Sequence, residues 1–332
     1  MDRLSHRERI SCILTGERPD RHAASMWRHF FHMESTVEGT ADAMLYFQRE
    51  YDWDFMKVNP RADYHIEGWG FEQIWSKNEF EKHKKTRFLV SKIEDWQDIR
   101  PLPLSTPALD DHLKIVSLIR KRSDKELPIL FTVFTPLAIA GRMVEHNATL
   151  AEHLKTAPEA VESALRSITD TFVRFVAELR NAGADGLFFA TTQWAAPEFV
   201  SWADYQRFGL PYDLQVIRAT DTDALNLLHV CHSSCFLRQL AAEPYPAKLI
   251  NWNSDDPTNL PLDRAITELP QKVLVGGVDF SGWLLHCTPD EIRYKIDKLK
   301  ADFTPDRLII APGCAIEPKT PKENLRAIRD SL

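Results

Sequence analysis

Short apolar runs recur along the chain and are separated by longer, more polar stretches. Several runs, such as residues 186–190 (GLFFA), are apolar at nearly every position. Continuous apolar runs are typical of parallel strands covered on both faces, whereas a half-exposed strand alternates. The pattern therefore predicts eight buried strands, at about residues 22–27, 54–58, 129–133, 185–190, 224–229, 247–251, 272–275 and 307–310.

Between these runs, apolar residues recur every three or four positions, which is the period of an amphipathic helix. The clearest case predicts a helix over 158–181 that stops near Gly183. Alternating strands and helices predict an α/β protein, and eight such units predict a TIM-type (βα)8 barrel in one domain, residues 1–332. The alternative is an open doubly wound sheet, but the sequence lacks the glycine-rich phosphate turn that this fold needs.

Residues 61–125 interrupt this alternation between the second and third predicted strands. The segment contains many aromatic residues together with stretches rich in lysine and glutamate. We expect it to form an insertion, a hairpin plus a helix, over the mouth of the barrel. There it would cover either the substrate or the surface of a partner protein.

Composition and charge narrow the class of protein. Of the 332 residues, 44% are hydrophobic and 27% are charged, as in ordinary globular proteins. The net charge of −7 argues against nucleic-acid binding, and no apolar run reaches the roughly 18 residues that a membrane span needs. The cysteine count is odd, and the polar N-terminus has no apolar signal core, so we expect a cytoplasmic protein.

Two of the predicted strands end on residues that bind soft metal ions. His229 and Cys231 lie two positions apart on an extended segment, which places their side chains on the same side. Cys314 follows the last predicted strand. One imidazole and two thiolates with an open position suit a catalytic zinc ion, so we predict zinc bound by His229, Cys231 and Cys314.

Two other interpretations of these residues remain open. Free cysteine is among the most buried residue types, so all three side chains can simply be packed in the core. Cys231, His232 and Cys235 can instead form a local cluster, although their spacing matches no common closed zinc site. The prediction with Cys314 depends on the barrel, because a barrel brings the ends of distant strands into one cup.

Polar side chains follow most of the other predicted strands, and the active sites of βα barrels lie at those strand ends. Arg28 and Arg142 are candidate catalytic residues that would grip a carboxylate or sulfonate, and Asp279 would orient a ligand. Both arginines can equally form structural ion pairs. The candidate substrate-binding residues are Trp27, His29, Asn59, Gln193 and Asn251.

Five stretches of the chain resemble the uroporphyrinogen decarboxylase superfamily. They are residues 16–21 (GERPDR), 143–145 (MVE), 276–279 (GGVD), 311–318 (APGCAIEP) and 320–324 (TPKEN). The resemblance covers nearly the whole chain, and its C-terminal stretch is the most specific part. It implies an eight-stranded βα barrel, which agrees with the strand count.

Within this superfamily two chemistries compete. Uroporphyrinogen decarboxylases act on a tetrapyrrole without a metal and carry an Arg-x-Ala-Gly-Arg motif after the first strand. This chain has residues 27–31 (WRHFF) there, and it has Asn59, Arg142 and Cys314 where the decarboxylases have aspartate, tyrosine and histidine. These departures favour the other branch, and a metal-free decarboxylase of a polycarboxylated tetrapyrrole is kept as the alternative.

The other branch contains zinc methyltransferases such as the methylcobamide:coenzyme M methyltransferases. Their His-x-Cys…Cys zinc motif corresponds to His229, Cys231 and Cys314 in this chain. The resemblance implies transfer of a methyl group to a thiol or similar acceptor, with the corrinoid supplied by a partner protein. A zinc-bound thiol stays deprotonated near neutral pH, which keeps its sulfur nucleophilic.

Several features are left open by the resemblance. The resemblance implies a fourth, carboxylate ligand near the sixth strand. The positions that align best are Asn251 and Asn253, and Asp255 or Asp256 could take their place. A water molecule is the other candidate for the fourth ligand. The small-molecule acceptor is coenzyme M, homocysteine or a folate. A homodimer is one candidate assembly, and a non-catalytic binding barrel is the third functional interpretation.

Overall fold

The fold is described from a computed structural model that covers residues 3–332. Seven strands form one parallel, curled sheet in the order β1-β4-β5-β6-β7-β8-β9, and β2 pairs with β3 as an antiparallel hairpin. The α/β class and the parallel sheet of the prediction are confirmed. The strands are β1 (Met56–Val58), β2 (Glu72–Ile74), β3 (Lys84–Arg87), β4 (Ile129–Phe134), β5 (Gly186–Ala190), β6 (Leu227–Val230), β7 (Leu249–Trp252), β8 (Val273–Val278) and β9 (Leu308–Pro312).

The segment predicted as the first strand lies between the two edges of this sheet. Ala23 and Ser25 exchange backbone hydrogen bonds with Ile310 of β9, and Ala24 accepts one from Asp54, just before β1. The segment is a single-residue bridge at Ala24 rather than a full strand. The reason is local: the carboxylate of Asp54 takes the backbone N–H of Ala24 at 2.8 Å, so that donor is not available to a neighbouring strand.

Helices cover the outer face of the sheet, and the predicted helix over 158–181 is confirmed as α7. None of the helices in residues 3–332 is long and apolar enough to cross a membrane. The helices are α1 (His6–Thr15), α2 (Val37–Tyr51), α3 (Tyr64–Glu67), α4 (Pro107–Arg122), α5 (Pro136–Met143), α6 (Asn147–Thr156), α7 (Pro158–Ala182), α8 (Trp202–Phe208), α9 (Leu210–Ile217), α10 (Leu237–Ala242), α11 (Leu262–Glu268), α12 (Trp283–His286), α13 (Pro289–Asp302) and α14 (Lys322–Asp330), with 3-10 turns at Ile93–Asp98 and Thr192–Ala195.

Alternate strand residues pack into two separate apolar clusters. Leu228 and Val230 of β6 belong to the large cluster shared with the helices, whereas Leu227 belongs to a second cluster. Because strand side chains alternate, this second cluster fills the concave interior of the sheet. Ile10 and Ile13 of α1 join the interior cluster together with residues at the beginnings of strands. Helix α1 therefore closes the N-terminal end of the interior.

Residues 61–125 do not form one added unit. Their C-terminal part contains α4, which packs against α2 and α7 as an ordinary crossover helix between β1 and β4. The earlier part holds the β2–β3 hairpin, whose loop contacts the chain after the Ala24 bridge: Glu79 pairs with Arg28, and His83 lies 3.4 Å from Glu34. The prediction that the whole segment is an insertion over the barrel mouth is not confirmed by this arrangement.

Candidate metal centre

The interior of the sheet changes from apolar to polar toward the C-terminal ends of the strands. Along β6, Leu225 and Leu227 lie in the interior cluster, and the next inward positions are His229 and Cys231. The same change occurs along β7, where Leu249 is followed by Asn251. The polar side chains of several strands therefore meet at one end, as barrel active sites do.

His229, Cys231 and Cys314 come together at this polar end. One ligand atom of each lies within 4.8 Å of the other two, and Cys314 Sγ is 4.0 Å from His229 Nε2. His229 is buried and both cysteines are half-buried. Nitrogen and sulfur ligands around a tetrahedral zinc ion are about 3.5–3.8 Å apart. The donor types therefore fit zinc, and their spacing fits it if the three ligand atoms move slightly closer together.

Gly313 allows Cys314 to reach this position. A β carbon on Gly313 would lie 2.7 Å from the α carbon of Asn253 and 3.1 Å from the carbonyl oxygen of Trp252. Any larger residue would thus push the turn after β9 away from the end of β7. Since Cys314 follows directly, the glycine determines how close the second thiol comes to the first.

The loop after Cys231 is strained and is held by its neighbour. His232 and Ser234 have φ values of 97° and 52°, in the left-handed region that side chains seldom occupy. The side chain of Asn259 accepts a hydrogen bond from Cys235 N at 3.0 Å and donates one to His232 O at 2.9 Å. Backbone strain of this kind persists where the surroundings fix it, and here it fixes the exit of the chain from Cys231.

Asn251 orients the imidazole of His229. The Nδ2 amide of Asn251 donates to the carbonyls of Val275 (2.6 Å) and Pro312 (3.0 Å), which leaves its Oδ1 to face His229 Nδ1 at 2.6 Å. With Nδ1 paired to Asn251, Nε2 is the ring nitrogen that faces Cys314 and is placed to bind a metal ion. Asn251 was predicted to bind substrate or the metal, but its amide group is fully engaged, so we assign it to positioning.

The two thiols perturb each other in opposite directions. A hydrogen bond from Cys231 holds the pKa of Cys314 well below its usual range, and the contact with His229 acts in the same sense against burial. The same Cys231–Cys314 hydrogen bond, together with burial, raises the pKa of Cys231. The pair therefore favours one thiolate that is stabilised by a neighbouring thiol and imidazole, which suits a site for a soft cation.

No carboxylate joins the group of potential ligands among the described residues. Within residues 3–332, the group of potential ligands contains His229, Cys231 and Cys314 and no acidic side chain. Asp256 is engaged with Ser233 and Thr258 in the neighbouring loop. Burial and the nearby Asp279 raise the pKa of Asp255 to about 6. The identity of a fourth ligand therefore stays a prediction.

The local alternative with His232 and Cys235 receives no geometric support. The imidazole of His232 pairs with Glu198, and among the described residues Cys231 is grouped with His229 and Cys314 instead. Burial raises the pKa of Cys235 to about 12, so this thiol stays protonated and inert.

The two arginines predicted as clamps already contact carboxylates. Arg28 is buried and donates to Glu79 at 2.5 Å. Arg142 has its Nε 3.9 Å from Asp63, and that Nε has no hydrogen-bond partner among the described residues. Arg28 is thus a structural ion pair that joins the hairpin to the barrel, whereas Arg142 keeps unused hydrogen-bonding capacity.

The remaining predicted site residues have structural contacts. Trp27 is buried in the interior cluster, 5.2 Å from Phe188 between ring centres. Asp279 caps the turn before α12 by accepting a hydrogen bond from Gly282 N at 2.8 Å. His29 lies 2.8 Å from Glu34, and Gln193 donates to Asn147. A role in substrate binding stays a prediction for Trp27, His29 and Gln193, and a catalytic role stays one for Asp279.

Sequence reasoning missed Lys57, the charged neighbour of the thiols. Lys57 lies on β1 between the outward-facing Met56 and Val58, so its side chain enters the barrel interior. It is buried, and its Nζ donates to Asn59 Oδ1 at 2.8 Å. Burial lowers the pKa of Lys57 to about 7, against a smaller opposite effect of Cys314.

Residues 63–68 (DYHIEG) match the short Asp-x-His-x-x-Gly pattern of corrinoid-binding proteins by residue type. In the structure, however, His65 is 2% exposed, and its ring centre lies 4.5 Å from that of Phe134. A histidine that binds the cobalt of a corrinoid must be accessible to that large cofactor. The match therefore does not present His65 to a corrinoid.

Comparison with known families and curated proteins places these features in context. The family model described as uroporphyrinogen decarboxylase (URO-D) matches residues 17–332. A methylcobamide:CoM methyltransferase, MtbA, from Methanosarcina mazei is 24% identical over 239 residues, which are 71% of this chain and 67% of that protein. A uroporphyrinogen decarboxylase from Synechococcus sp. (strain CC9902) is 25% identical over 245 residues, 71% of this chain and 66% of that protein.

Solved structures show the same fold. A methyltransferase from Methanosarcina mazei superimposes with a TM-score of 0.78 at 18% identity, over 98% of both chains. A B12-independent methionine synthase from Shewanella sp. W3-18-1 superimposes with a TM-score of 0.59 at 12% identity, over 93% of this chain and 96% of that chain. At such identities the likeness is one of architecture.

Proposed function

This chain belongs to the uroporphyrinogen decarboxylase (URO-D) family, and within it we propose that the chain is a zinc-dependent methyltransferase. The proposed reaction moves a methyl group from a corrinoid, carried by a partner protein, to the sulfur of a small thiol. The observation that carries the proposal is the convergence of His229, Cys231 and Cys314 at the polar end of the barrel interior.

The chemistry of this donor set supports a methyltransferase over a decarboxylase. Decarboxylation of a tetrapyrrole by the metal-free route has no use for two adjacent thiols and an imidazole held in one tautomer. This chain is about equally similar to relatives named as CoM methyltransferases and to relatives named as decarboxylases. The choice between the two activities therefore depends on the residues of the site. Cys314 is the most informative, because the resemblance gives the decarboxylases a histidine at that position.

Three side chains would hold the metal, and a fourth would orient them. His229 offers Nε2 because Asn251 keeps the proton on Nδ1. Cys231, the thiol of the pair whose pKa is raised, would release its proton as the metal binds, so metal affinity should rise with pH. A zinc ion held there would keep the sulfur of the acceptor thiol in its nucleophilic thiolate form.

The methyl transfer balances without a further reactant. The lone pair of the acceptor thiolate forms the new carbon–sulfur bond, and the cobalt–carbon bond of the donor breaks with both electrons left on cobalt. The products are a methyl thioether and a corrinoid reduced by two electrons. The role of this chain is to hold the thiolate and the methyl group in line while water is kept from the site.

The test is methyl transfer from free methylcobalamin by zinc-loaded protein. We expect 2-mercaptoethanesulfonate or homocysteine to be methylated, with loss of the methylcobalamin absorbance, and Cys314→Ser to lower the rate by at least about a hundredfold. Cys287→Ser is the matched control, since Cys287 is a half-buried thiol outside the metal group.

Two results would contradict the proposal. One is that neither a thiol nor a folate is methylated by zinc-loaded protein, even with a corrinoid protein present as donor. The other is decarboxylation of a polycarboxylated tetrapyrrole by metal-free protein, which would establish the decarboxylase instead. Binding of a corrinoid protein without either activity would indicate a non-catalytic barrel.

A further inference from the structure

Lys57 is a buried cation with little of its hydrogen-bonding capacity used. An ammonium group has three N–H donors. In the structure, Nζ donates to Asn59 Oδ1 at 2.8 Å and lies 4.6 Å above the ring of Phe188. A fully buried ammonium is stable when opposite charge or several acceptors surround it. Lys57 therefore lacks the partners that its burial calls for.

Asn59 adds a second unused donor at the same place. Its Oδ1 is taken by Lys57, and its Nδ2 is buried without a hydrogen-bond partner among the described residues. Asn59 is 1% exposed, so bulk solvent does not satisfy this amide. Two neighbouring donors, one of them cationic, form a natural site for an oxyanion.

This donor pair faces the thiol site across one aromatic ring. Lys57 Nζ lies over the ring of Phe188, and the imidazole of His229 lies 5.0 Å from the same ring between centres. Cys314 is close enough to act on Lys57 electrostatically. A molecule only a few bonds long could therefore touch both places.

The other charges near Lys57 do not provide a contact partner. Glu34 also acts on Lys57 electrostatically, but its oxygens accept hydrogen bonds from Phe30 N (3.0 Å), Ala62 N (3.1 Å) and His29. Cys314 is occupied by Cys231 and His229. Burial without a contact anion lowers the pKa of Lys57 to about 7, as expected for a site that awaits a negative group.

We propose that Lys57 and Asn59 bind the acidic group of the methyl acceptor, a single carboxylate or sulfonate a few bonds from its thiol. This inference rests on the proposed function for the position of the sulfur beside His229, Cys231 and Cys314. It replaces Arg28 as the predicted acid clamp, because Arg28 already donates to Glu79, while the role predicted for Arg142 stays a prediction. The acceptor is thus an acidic thiol, and neutral or basic thiols are discriminated against.

The test is calorimetric titration of zinc-loaded protein with thiols that share a two-carbon spacer between the sulfur and the polar end group. We expect 3-mercaptopropionate or 2-mercaptoethanesulfonate to bind about tenfold or more tightly than 2-mercaptoethanol. The Lys57→Met variant should reduce this ratio to about two or less while zinc content and 2-mercaptoethanol binding stay unchanged. The stronger of the two acidic thiols identifies the acid that the site prefers.

Two further variants keep the test decisive. Lys272→Met is the matched control. Lys272 is another buried lysine, and its Nζ donates to Ala247 O near the opposite ends of the strands. Its loss should leave the ratio of acidic-thiol to neutral-thiol affinity unchanged. Asn59→Asp should abolish the preference by placing a fixed carboxylate beside Lys57. It serves as the second variant if Lys57→Met does not fold.

The outcomes separate this inference from the proposed function. A preference for acidic thiols that survives Lys57→Met, or no preference in the wild type, overturns the inference even if methyl transfer is observed. If the protein binds no zinc, the proposed function fails, and titration of metal-free protein with propionate and methanesulfonate tests the site alone. Binding that is lost in Lys57→Met supports it, and no binding overturns it.

Discussion

The two ends of the interior of the curled sheet are built in opposite ways. At the N-terminal end, the carboxylate of Asp54 is almost fully buried and accepts hydrogen bonds from Arg9 (2.7 Å) and Arg21 (2.7 Å), from the backbone of Ala24, and from His6. Helix α1 seals this end with apolar side chains. The buried charges at the N-terminal end therefore have partners, and this end stabilises the fold.

At the C-terminal end, polar groups are gathered and part of their capacity is left over. Two thiols and an imidazole converge there, and Lys57 and Asn59 present donors without a ligand. Buried polar groups without partners lower the stability of the fold unless a ligand supplies the missing hydrogen bonds or charge. The fold is therefore stabilised mainly at one end, and the chemistry is placed at the other, so substitutions at the two ends should separate stability from function.

The largest effect is expected at the C-terminal end, from loss of a thiol. Cys314→Ser should lower the bound metal from about one zinc ion per chain to nearly none after dialysis, because two remaining ligands hold zinc weakly. The free energy of unfolding of the metal-free protein should change by about 1 kcal/mol or less, since the side chain is half-buried and similar in size. Metal analysis and urea unfolding measure the two effects.

In the same experiment Cys12→Ser should keep its zinc. If Cys314→Ser also kept it, the thiol would not be a ligand, and the proposed contrast between the two ends would fail.

The next effect is expected at the N-terminal end. Asp54→Asn should lower the free energy of unfolding by about 3 kcal/mol or more, because it leaves the buried guanidinium of Arg9 with weaker compensation. Zinc content should not change. Asp52→Asn is the control: this carboxylate is 59% exposed, and its loss should cost about 1 kcal/mol or less. Equal losses in both variants would show that burial of the ion pair is not what matters.

A smaller effect is expected from the residue that orients the imidazole. Asn251→Ala should weaken zinc binding about 10- to 100-fold, because His229 would lose the acceptor that fixes its tautomer. Asn251→Asp keeps that acceptor and should retain more affinity than Asn251→Ala. Competition with a chromogenic chelator measures both variants, and an unchanged affinity in Asn251→Ala would show that the tautomer is fixed by other contacts.

The smallest effect concerns pH at the N-terminal end. Burial alone would lower the pKa of His6, but hydrogen bonds to Asp52 and Asp54 outweigh it and raise the pKa to about 9. A raised pKa stabilises the fold fully below the ordinary value of 6.5, and this stabilisation is lost as pH rises through 9. Allowing for partial exposure, the loss should be about 1–2 kcal/mol.

The His6→Gln variant isolates this contribution. The difference in free energy of unfolding between wild type and His6→Gln should shrink between pH 6.5 and 9. A difference that stays constant with pH would mean that His6 is not charged in the folded protein.

The sequence predicted the strands of the sheet because their apolar runs are continuous. The run 227–228 lies in β6 and the run 308–310 in β9, each within a few residues of its predicted bounds. The segment 22–27 was predicted by the same signal, but only Ala24 pairs as a strand would, since Asp54 takes its backbone donor. A side chain that replaces a strand partner leaves no pattern in the local sequence.

The candidate site was predicted in part. His229, Cys231 and Cys314 were accessible to sequence reasoning because each follows an apolar run and each is a residue type that binds metals. The sequence placed Asn251 at the site but did not predict its hydrogen bond to His229. That contact depends on the register of β6 and β7. Lys57 was missed because a lysine between apolar residues usually faces water. In a strand covered on both faces, no such side exists.

X-ray absorption at the zinc edge of the zinc-loaded protein tests the proposed metal site most directly. We predict one zinc ion per chain with two sulfur ligands and one imidazole, and a third sulfur after an acidic thiol is added. A zinc ion with only oxygen and nitrogen ligands, or a sulfur shell that is unchanged in Cys314→Ser, would contradict it.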